Sequence, residues 1–346
     1  MKAIITGVTG QDGSHLADLL LDKNYEVVGV TRRSSTDNTA RIKHLAKNQR
    51  FKLVDGDIAD VSSVINVFKN NANVDEVYNL AAQSHVGISF QQPALTWDIT
   101  GKGCLNLLQA LVDLDMKHAR FYQASSSEMF GSSYDIDRNG VKYQNEQTKL
   151  MPNSPYAIAK TAAHHAVRIY RDAYGLHASS GILFNHEGPR RGENFVTQKI
   201  INWIAQFKKW LGSSGDDFPL DFTEDRIVIH RESFPKLRLG NLKASRDWGY
   251  AGDYVQAMWL MLQQDNPDDF VVCTGKTHTI EDFLDEAFTQ AGLEDWRRFI
   301  VIDKEFYRPC EVDYLRGDCS KAKAKLGWNP KCDLEGLIKL MLDAKL

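Results

Sequence analysis

The chain has 346 residues, 43% of them hydrophobic, enough to bury a large core and to form either two domains or one domain with a substantial lobe. Its formal charge of -3 gives no general field for holding nucleic acid. Five cysteines without a C-x-x-C pair suit neither a disulfide framework nor a zinc site and predict a reducing, cytoplasmic setting. The apolar run at 2–8 is too short for a signal peptide, and no stretch reaches the roughly 18 apolar residues of a membrane span.

Residues 2–6 form a short β-rich run that breaks at three glycines and resumes as a helix at 14–23, with Leu16, Leu19 and Leu20 at helical spacing. A second β-rich run at 26–30 completes a βαβ unit, and with it a right-handed crossover in a parallel sheet. The alternation continues through strand 51–54, helix 62–70, strand 76–80, helix 103–114, strand 120–124, helix 157–174 and strand 178–183. It predicts an α/β fold, a doubly wound (Rossmann) parallel sheet with ligand sites at the carboxyl ends of its strands. After Phe184 the rhythm changes to an Arg- and Gly-rich loop, a helix at 196–211 and an irregular polar stretch at 212–235, the start of a smaller interleaved α/β lobe. A helix at 253–264, a strand at 270–273, a helix at 280–291 and a helix at 321–326, stopped by Gly327 and Pro330, follow. The expected organisation is a dinucleotide domain over 1–184 and a substrate lobe over 185–346, with residues from about 244 to 275 returning to the first.

Gly7, Gly10 and Gly13 lie between the first strand and the first helix. Glycine is needed where backbone turns sharply and approaches a pyrophosphate, and the helix N-terminus supplies N–H donors and a positive dipole end. A plain turn is the alternative, weakened by the βαβ context. At the end of the second strand, where NAD enzymes carry an acidic residue on the ribose, the chain reads Arg32, Arg33, Ser34, Ser35. Two guanidinium groups and two hydroxyls suit a 2′-phosphate, so the spacing points to NADP; a solvated basic turn is the bland alternative. Asp57 and Ile58, after the third strand, stand where adenine would lie.

Tyr156 and Lys160 form Y-x-x-x-K at the start of a helix, one turn apart on one face. A nearby ammonium would favour phenolate and lower the Tyr156 pKa, making it a base for a hydroxyl proton. The pair gains weight from Ser125, Ser126 and Ser127 at a preceding strand end. Together these residues resemble the extended short-chain dehydrogenase/reductase superfamily. The runs TGVTGQDG (6–13), RRSS (32–35), NLAAQSHV (79–86), QASSSEMFG (123–131), SPYAIAK (154–160), LFNHEGPRRGE (183–193) and RDWG (246–249) further resemble the GDP-mannose 4,6-dehydratase family.

That resemblance implies oxidation of the hexose at C4 by hydride transfer to NADP+, loss of water across C5 and C6, and return of the hydride to C6. It assigns Ser126, Glu128, Tyr156 and Lys160 to catalysis, with Ser126 standing where the family has Thr and Glu128 as the acid/base for C5 and C6. A plain reductase needs no such carboxylate; a capping or solvated carboxylate is the other reading of Glu128. The cofactor would be lined by Gly7, Thr9, Gly10, Gln11, Asp12, Gly13, Leu80, Ala81, Ala82, Gln83, Ser84, His186 and Arg191, and by Lys160 at the nicotinamide ribose. The nucleotide sugar would meet Ser84, Asn185, Lys199, Arg246, Arg308 and Glu311, each of which could otherwise be a surface or structural group.

The chain departs from the family pattern at Leu95, at the insertion 212–235 and in a short segment between Gly292 and Arg308. Asp216, Asp217, Asp221, Glu224 and Asp225 in the insertion lack calcium-loop order, so no metal is expected. Lys43, Lys47, Arg50 and Lys52 fit a solvated helix face better than a nucleic-acid patch. Rival readings are a dehydratase, epimerase or reductase acting on another nucleotide sugar, such as a GDP-heptose, and a catalytically silent NADP-binding sensor. An intact acid/base set argues against the sensor. The resemblance also implies a homodimer or homotetramer, with residues 32–38 a candidate contact between cofactor sites.

Overall fold

The computed structural model describes residues 1–214, 220–229, 232–307 and 309–346. Seven strands form one parallel sheet: β1 (Lys2–Thr6), β2 (Glu26–Thr31), β3 (Phe51–Asp55), β4 (Glu76–Asn79), β5 (Arg120–Ser126), β6 (Ala178–Leu183) and β7 (Asp269–Val272). Their spatial order is β3-β2-β1-β4-β5-β6-β7, so the winding reverses between β1 and β4. A crevice opens at the carboxyl ends of strands at such a reversal, which is where doubly wound sheets take ligands. Helices cover both faces, so β1, β2, β4, β5 and β6 are buried almost throughout.

The main helices are α1 (Gln11–Asp22), α2 (Val61–Lys69), α3 (Gly103–Asp113), α4 (Pro155–Tyr174), α5 (Val196–Ser214), α6 (Ala251–Gln263), α7 (Ile280–Gln290) and α8 (Leu334–Asp343). One apolar cluster, with Leu16, Leu20, Tyr122, Met258 and Phe270, fills one face of the sheet. A second, with Val64, Phe68, Leu107, Phe121 and Val167, fills the other. A third joins Ile200, Phe207, Phe283, Phe288 and Ile338 outside the sheet, where α5, α7 and α8 pack together. Both α6 and β7 belong to the sheet layer: β7 pairs with β6 from Asp269↔Ser180 to Val272↔Leu183.

Two stretches differ from the sequence reading. The polar segment expected to be irregular contains a three-stranded antiparallel sheet of Asp221–Phe222, Arg226–Ile229 and Glu232–Pro235. Its Phe234 meets Trp203 and Phe207 of α5 with ring centroids 5.7 and 5.6 Å apart, so sparse aromatic anchors order a stretch whose charges mask its alternation. Asp216 and Asp217 lie outside the described residues, and no cluster of metal-ligating side chains occurs among the described ones. Lys43, Lys47, Arg50 and Lys52 do not share a helix face, because the local helix is a short 3-10 turn ending at Leu45 and Lys52 is already on β3. No helix of the described residues is long and apolar enough to cross a membrane.

Candidate active site

The glycine loop is built by backbone proximity. Gly7 has φ +69°, and a Cβ there would stand 2.8 Å from Ala81 N. Gly13 sits inside the first turn of α1, which begins three residues before the start that apolar spacing suggested, and a Cβ on it would lie 2.4 Å from Gly7 O. Only glycine lets α1 pack this closely on β1. Gly10 caps α1 without a side-chain hydrogen bond, leaving the helix N–H groups aimed at the crevice. Across it, the Thr6 hydroxyl donates to Asn79 Oδ1 at 2.7 Å and accepts from Leu80 N and Ala81 N at 3.2 Å each, which holds β4's exit against β1.

Asp12 faces this loop and pairs with His186, Oδ2 to Nε2 at 2.8 Å, while His186 Nδ1 meets Phe184 O at 2.7 Å. Burial works to raise the Asp12 carboxyl, but the His186 imidazolium and Arg191 overcome it and hold it at about 2. Burial likewise works to lower His186, and Asp12 overcomes it so that the ring's pKa rises. Arg191 Nε stands 2.9 Å from Glu187 Oε2 and its guanidinium lies over Phe195. Gln11 Nε2 donates to His186 O at 3.0 Å. The two segments that the sequence assigned to the cofactor, residues 7–13 and 186–191, are therefore bonded to each other.

At the end of β5, the Ser126 hydroxyl caps the short turn Ser127–Phe130 by accepting from Glu128 N at 3.2 Å. Ser126 and Glu128 are 8% and 9% exposed, and Tyr156 and Lys160 on α4 are 8% and 3% exposed. Ser154 caps α4 and Pro155 opens it, so Tyr156 and Lys160 fall on the first two turns facing β5. Lys160 Nζ donates to Ala124 O at 2.6 Å and stands 5.8 Å from the Tyr156 ring centroid. Ser126, Glu128 and Arg191 are all near enough to Tyr156 to act on its charge. The structure thus gathers all four expected catalytic groups, but it reverses the expected Tyr156 shift. Burial pushes the phenol up to about 12, with Ser126 and Arg191 opposing and Glu128 reinforcing. Burial also lowers Lys160, to about 8, which weakens the ammonium on which the expected shift depended.

The other expected residues fall in three groups. Arg32, Arg33, Ser34 and Ser35 are exposed just beyond β2; Asp57 accepts from Ala59 N at 2.9 Å, and Ile58 is buried against Gly103. Leu80, Ala81, Ala82 and Gln83 are half-buried along the crevice, and Ser84 is exposed. Gln83 Nε2 and Asn185 Oδ1 are buried without a protein partner, as suits polar atoms that meet a ligand. In the outer lobe Arg246 and Glu311 form an ion pair at 3.0 Å, and Lys199 Nζ lies 3.6 Å over the Phe306 ring, its pKa lowered by burial. Arg308 lies outside the described residues.

A family model described as GDP-mannose 4,6 dehydratase matches residues 4–216 and 218–341. The chain belongs to the GDP-mannose 4,6 dehydratase family. It is 48% identical to GDP-mannose 4,6 dehydratase 1 of Arabidopsis thaliana over 99% of this chain and 89% of that protein. It is 43% identical to GDP-mannose 4,6 dehydratase of Homo sapiens over 99% of this chain and 90% of that protein. Solved structures share the fold at lower identity. A dTDP-glucose 4,6-dehydratase from Bacillus anthracis, in complex with NAD, superposes with TM-score 0.79 at 20% identity over 99% of this chain and 96% of that one. A UDP-glucose 4-epimerase from Thermotoga maritima gives TM-score 0.78 at 24% identity over 99% and 98%.

For a GDP-mannose 4,6 dehydratase family member, two further residues shape the site without having been singled out. Arg41 Nε donates to Arg190 O at 2.7 Å and its Nη1 to Thr9 O at 3.3 Å, stapling the glycine loop to the segment that carries Arg191. Asp247, fully buried beside Arg246, accepts from the N–H groups of Thr274, Gly275 and Gly317. A carboxylate between an arginine and a tryptophan in RDWG was the signal for Asp247. Arg41 gave none, because its partners are backbone carbonyls.

Proposed function

We propose that this chain removes water from GDP-mannose to give GDP-4-keto-6-deoxymannose, in the cytoplasm, with NADP as its nicotinamide cofactor. The observation that carries the reading is a buried carboxylate, Glu128, on the turn that follows Ser126 and packs against α4, the helix of Tyr156 and Lys160. Tyr156 takes the C4 hydroxyl proton, with Ser126 hydrogen-bonding the same oxygen. Glu128 takes the proton from C5, made acidic by the 4-ketone, and gives one to the departing C6 hydroxyl, so one group serves both halves of the elimination. When bound, a nicotinamide dinucleotide would supply the redox chemistry, its oxidised form taking up the C4 hydride and its reduced form returning that hydride to C6. The glycine loop, Leu80 to Ser84, His186 and Arg191 hold that cofactor, and the close approaches at Gly7 and Gly13 fit its pyrophosphate. Asn185, Lys199, Arg246, Arg308 and Glu311 hold the nucleotide sugar, with Glu311 orienting Arg246 through their ion pair.

NADP is favoured over NAD because Arg32 and Arg33 follow β2 directly, with no acidic residue at the ribose position. Arg32→Ala and Arg33→Ala are each expected to weaken NADP about tenfold and to leave NAD unchanged, the size of a lost charge-assisted hydrogen bond. Fluorescence titration of both cofactors measures this, and equal losses for the two would remove the assignment. The division of labour is residues 1–184 for the cofactor and 185–346 for the sugar nucleotide, with about 244–275 returning; β7's pairing with β6 supports the return.

A homodimer or homotetramer is favoured by Trp97, Leu105, Ile158 and Ile169, all exposed around α3 and α4, which pack side by side. Light scattering should give a multiple of the chain mass that Ile158→Glu lowers; a monomeric wild type would contradict this. The function itself is tested by offering NADP+ with a panel of nucleotide sugars and seeking loss of one water by mass spectrometry. Dehydration of GDP-mannose is the expected result, and dehydration of a different sugar alone would transfer the reading to that substrate.

A further inference from the structure

The face of α4 that carries Tyr156 and Lys160 continues one turn further to His164. His164 is buried at 9% exposure, with Nδ1 3.1 Å from Ser125 Oγ and Nε2 4.0 Å from Asp269 Oδ2 at the start of β7. Asp269 is fixed in turn by Arg171 of α4 and by Ser180 N at 3.1 Å. Burial holds the imidazole below its ordinary pKa, Asp269 pulling the other way and His165, Arg171 and Arg168 reinforcing burial. A neutral ring with its proton on Nε2, towards Asp269, leaves Nδ1 to accept from the Ser125 hydroxyl.

Ser125 stands between two residues on which the site depends. The carbonyl of Ala124 accepts from Lys160 Nζ, and the hydroxyl of Ser126 caps Glu128 N close to Tyr156. A shift of the Ser125 peptide therefore moves both at once. We propose that His164 is a positioning residue of the dehydration site: through Ser125 it locks the peptide planes at the end of β5 and so sets where Lys160, Ser126 and Glu128 stand. This deepens the function proposed above and rests on it. His164 touches none of the groups assigned to bind substrate, so its loss should act on turnover and leave binding alone.

The test is a double-mutant cycle in the full chain, with His164→Ala, Ser125→Ala and both, supplemented by His164→Asn and His164→Gln. The asparagine Oδ1 reaches the place of Nδ1, whereas a glutamine amide reaches that of Nε2. Each alanine variant is expected to lower kcat about tenfold, as for a small misplacement of catalytic groups, with KM for GDP-mannose within about twofold. The double variant should fall no further than either single one, and Asn should recover most of the rate where Gln does not. Multiplying losses of about a hundredfold, or equal rates for Asn and Gln, would overturn the assignment. If the alanine variants fail to fold, the Asn and Gln comparison alone decides. A wild type that makes no product sinks both readings, whereas an active wild type with additive variants sinks this one only.

Discussion

Glu128→Gln is expected to leave C4 oxidation intact and to cut formation of the 4-keto-6-deoxy sugar by about a thousandfold, within the range for loss of a positioned general acid/base. The side chain is almost isosteric, so the Ser126 cap on the Glu128 N–H survives and the turn Ser127–Phe130 keeps its shape. What disappears is the carboxylate that removes the C5 proton. In a single turnover the variant should therefore accumulate reduced cofactor together with a 4-keto sugar that still carries its C6 hydroxyl. Mass spectrometry and nicotinamide absorbance read the two species separately. Product at the wild-type rate would show that Glu128 does not perform the elimination.

Asp247→Ala is expected to cost about 3 kcal/mol of stability at neutral pH, the size of several buried donors left without an acceptor. The Asp247 carboxylate accepts from Thr274 N at 2.8 Å, Thr274 Oγ1 at 2.6 Å, Gly275 N at 2.9 Å and Gly317 N at 3.2 Å. It thereby ties the strand bearing Arg246 to the exit of β7 and to the segment that follows Glu311. Denaturant unfolding measures the loss, and KM for GDP-mannose should rise with it because Arg246 and Glu311 lose their common anchor. Burial pushes the Asp247 carboxyl up to about 6, against its hydrogen bonds to Thr274, Gly317 and Gly275. A raised carboxyl pKa means that the folded chain binds the proton more tightly than the unfolded one. Stability from this group is thus greatest below its ordinary 3.8 and is lost as pH rises through about 6. The advantage of wild type over Asp247→Ala should narrow across that window and stay level above it. An advantage that widens with pH would contradict the burial argument.

The sheet was legible because β1 and β6 are short runs of strand length between turn signals, buried almost throughout, and their bounds are those expected from the sequence. Helix starts were less so: α1 and α4 begin two or three residues early, at Gln11 and Pro155, because caps and a proline set them rather than the apolar stripe. The spacing of Tyr156 and Lys160 put them on one face but could not report that both are buried, and burial reversed the sign of the Tyr156 shift. Arg246 and Glu311 were each read as ligand contacts, and their pairing with each other depends on a fold that brings residues 65 apart together. His164 was within reach of the sequence, since it repeats the spacing of Tyr156 and Lys160 once more. Its partner Asp269 was not, since only the placement of β7 beside β6 brings it to α4.

The most direct measurement follows the hydrogen on C4. GDP-mannose deuterated at that carbon, incubated with the chain and NADP+, should yield a 4-keto-6-deoxy sugar with deuterium in its C6 methyl group and no net accumulation of NADPH. Deuterium recovered in NADPH, beside a 4-keto product that keeps its C6 hydroxyl, would make the chain an ordinary dehydrogenase and contradict the account.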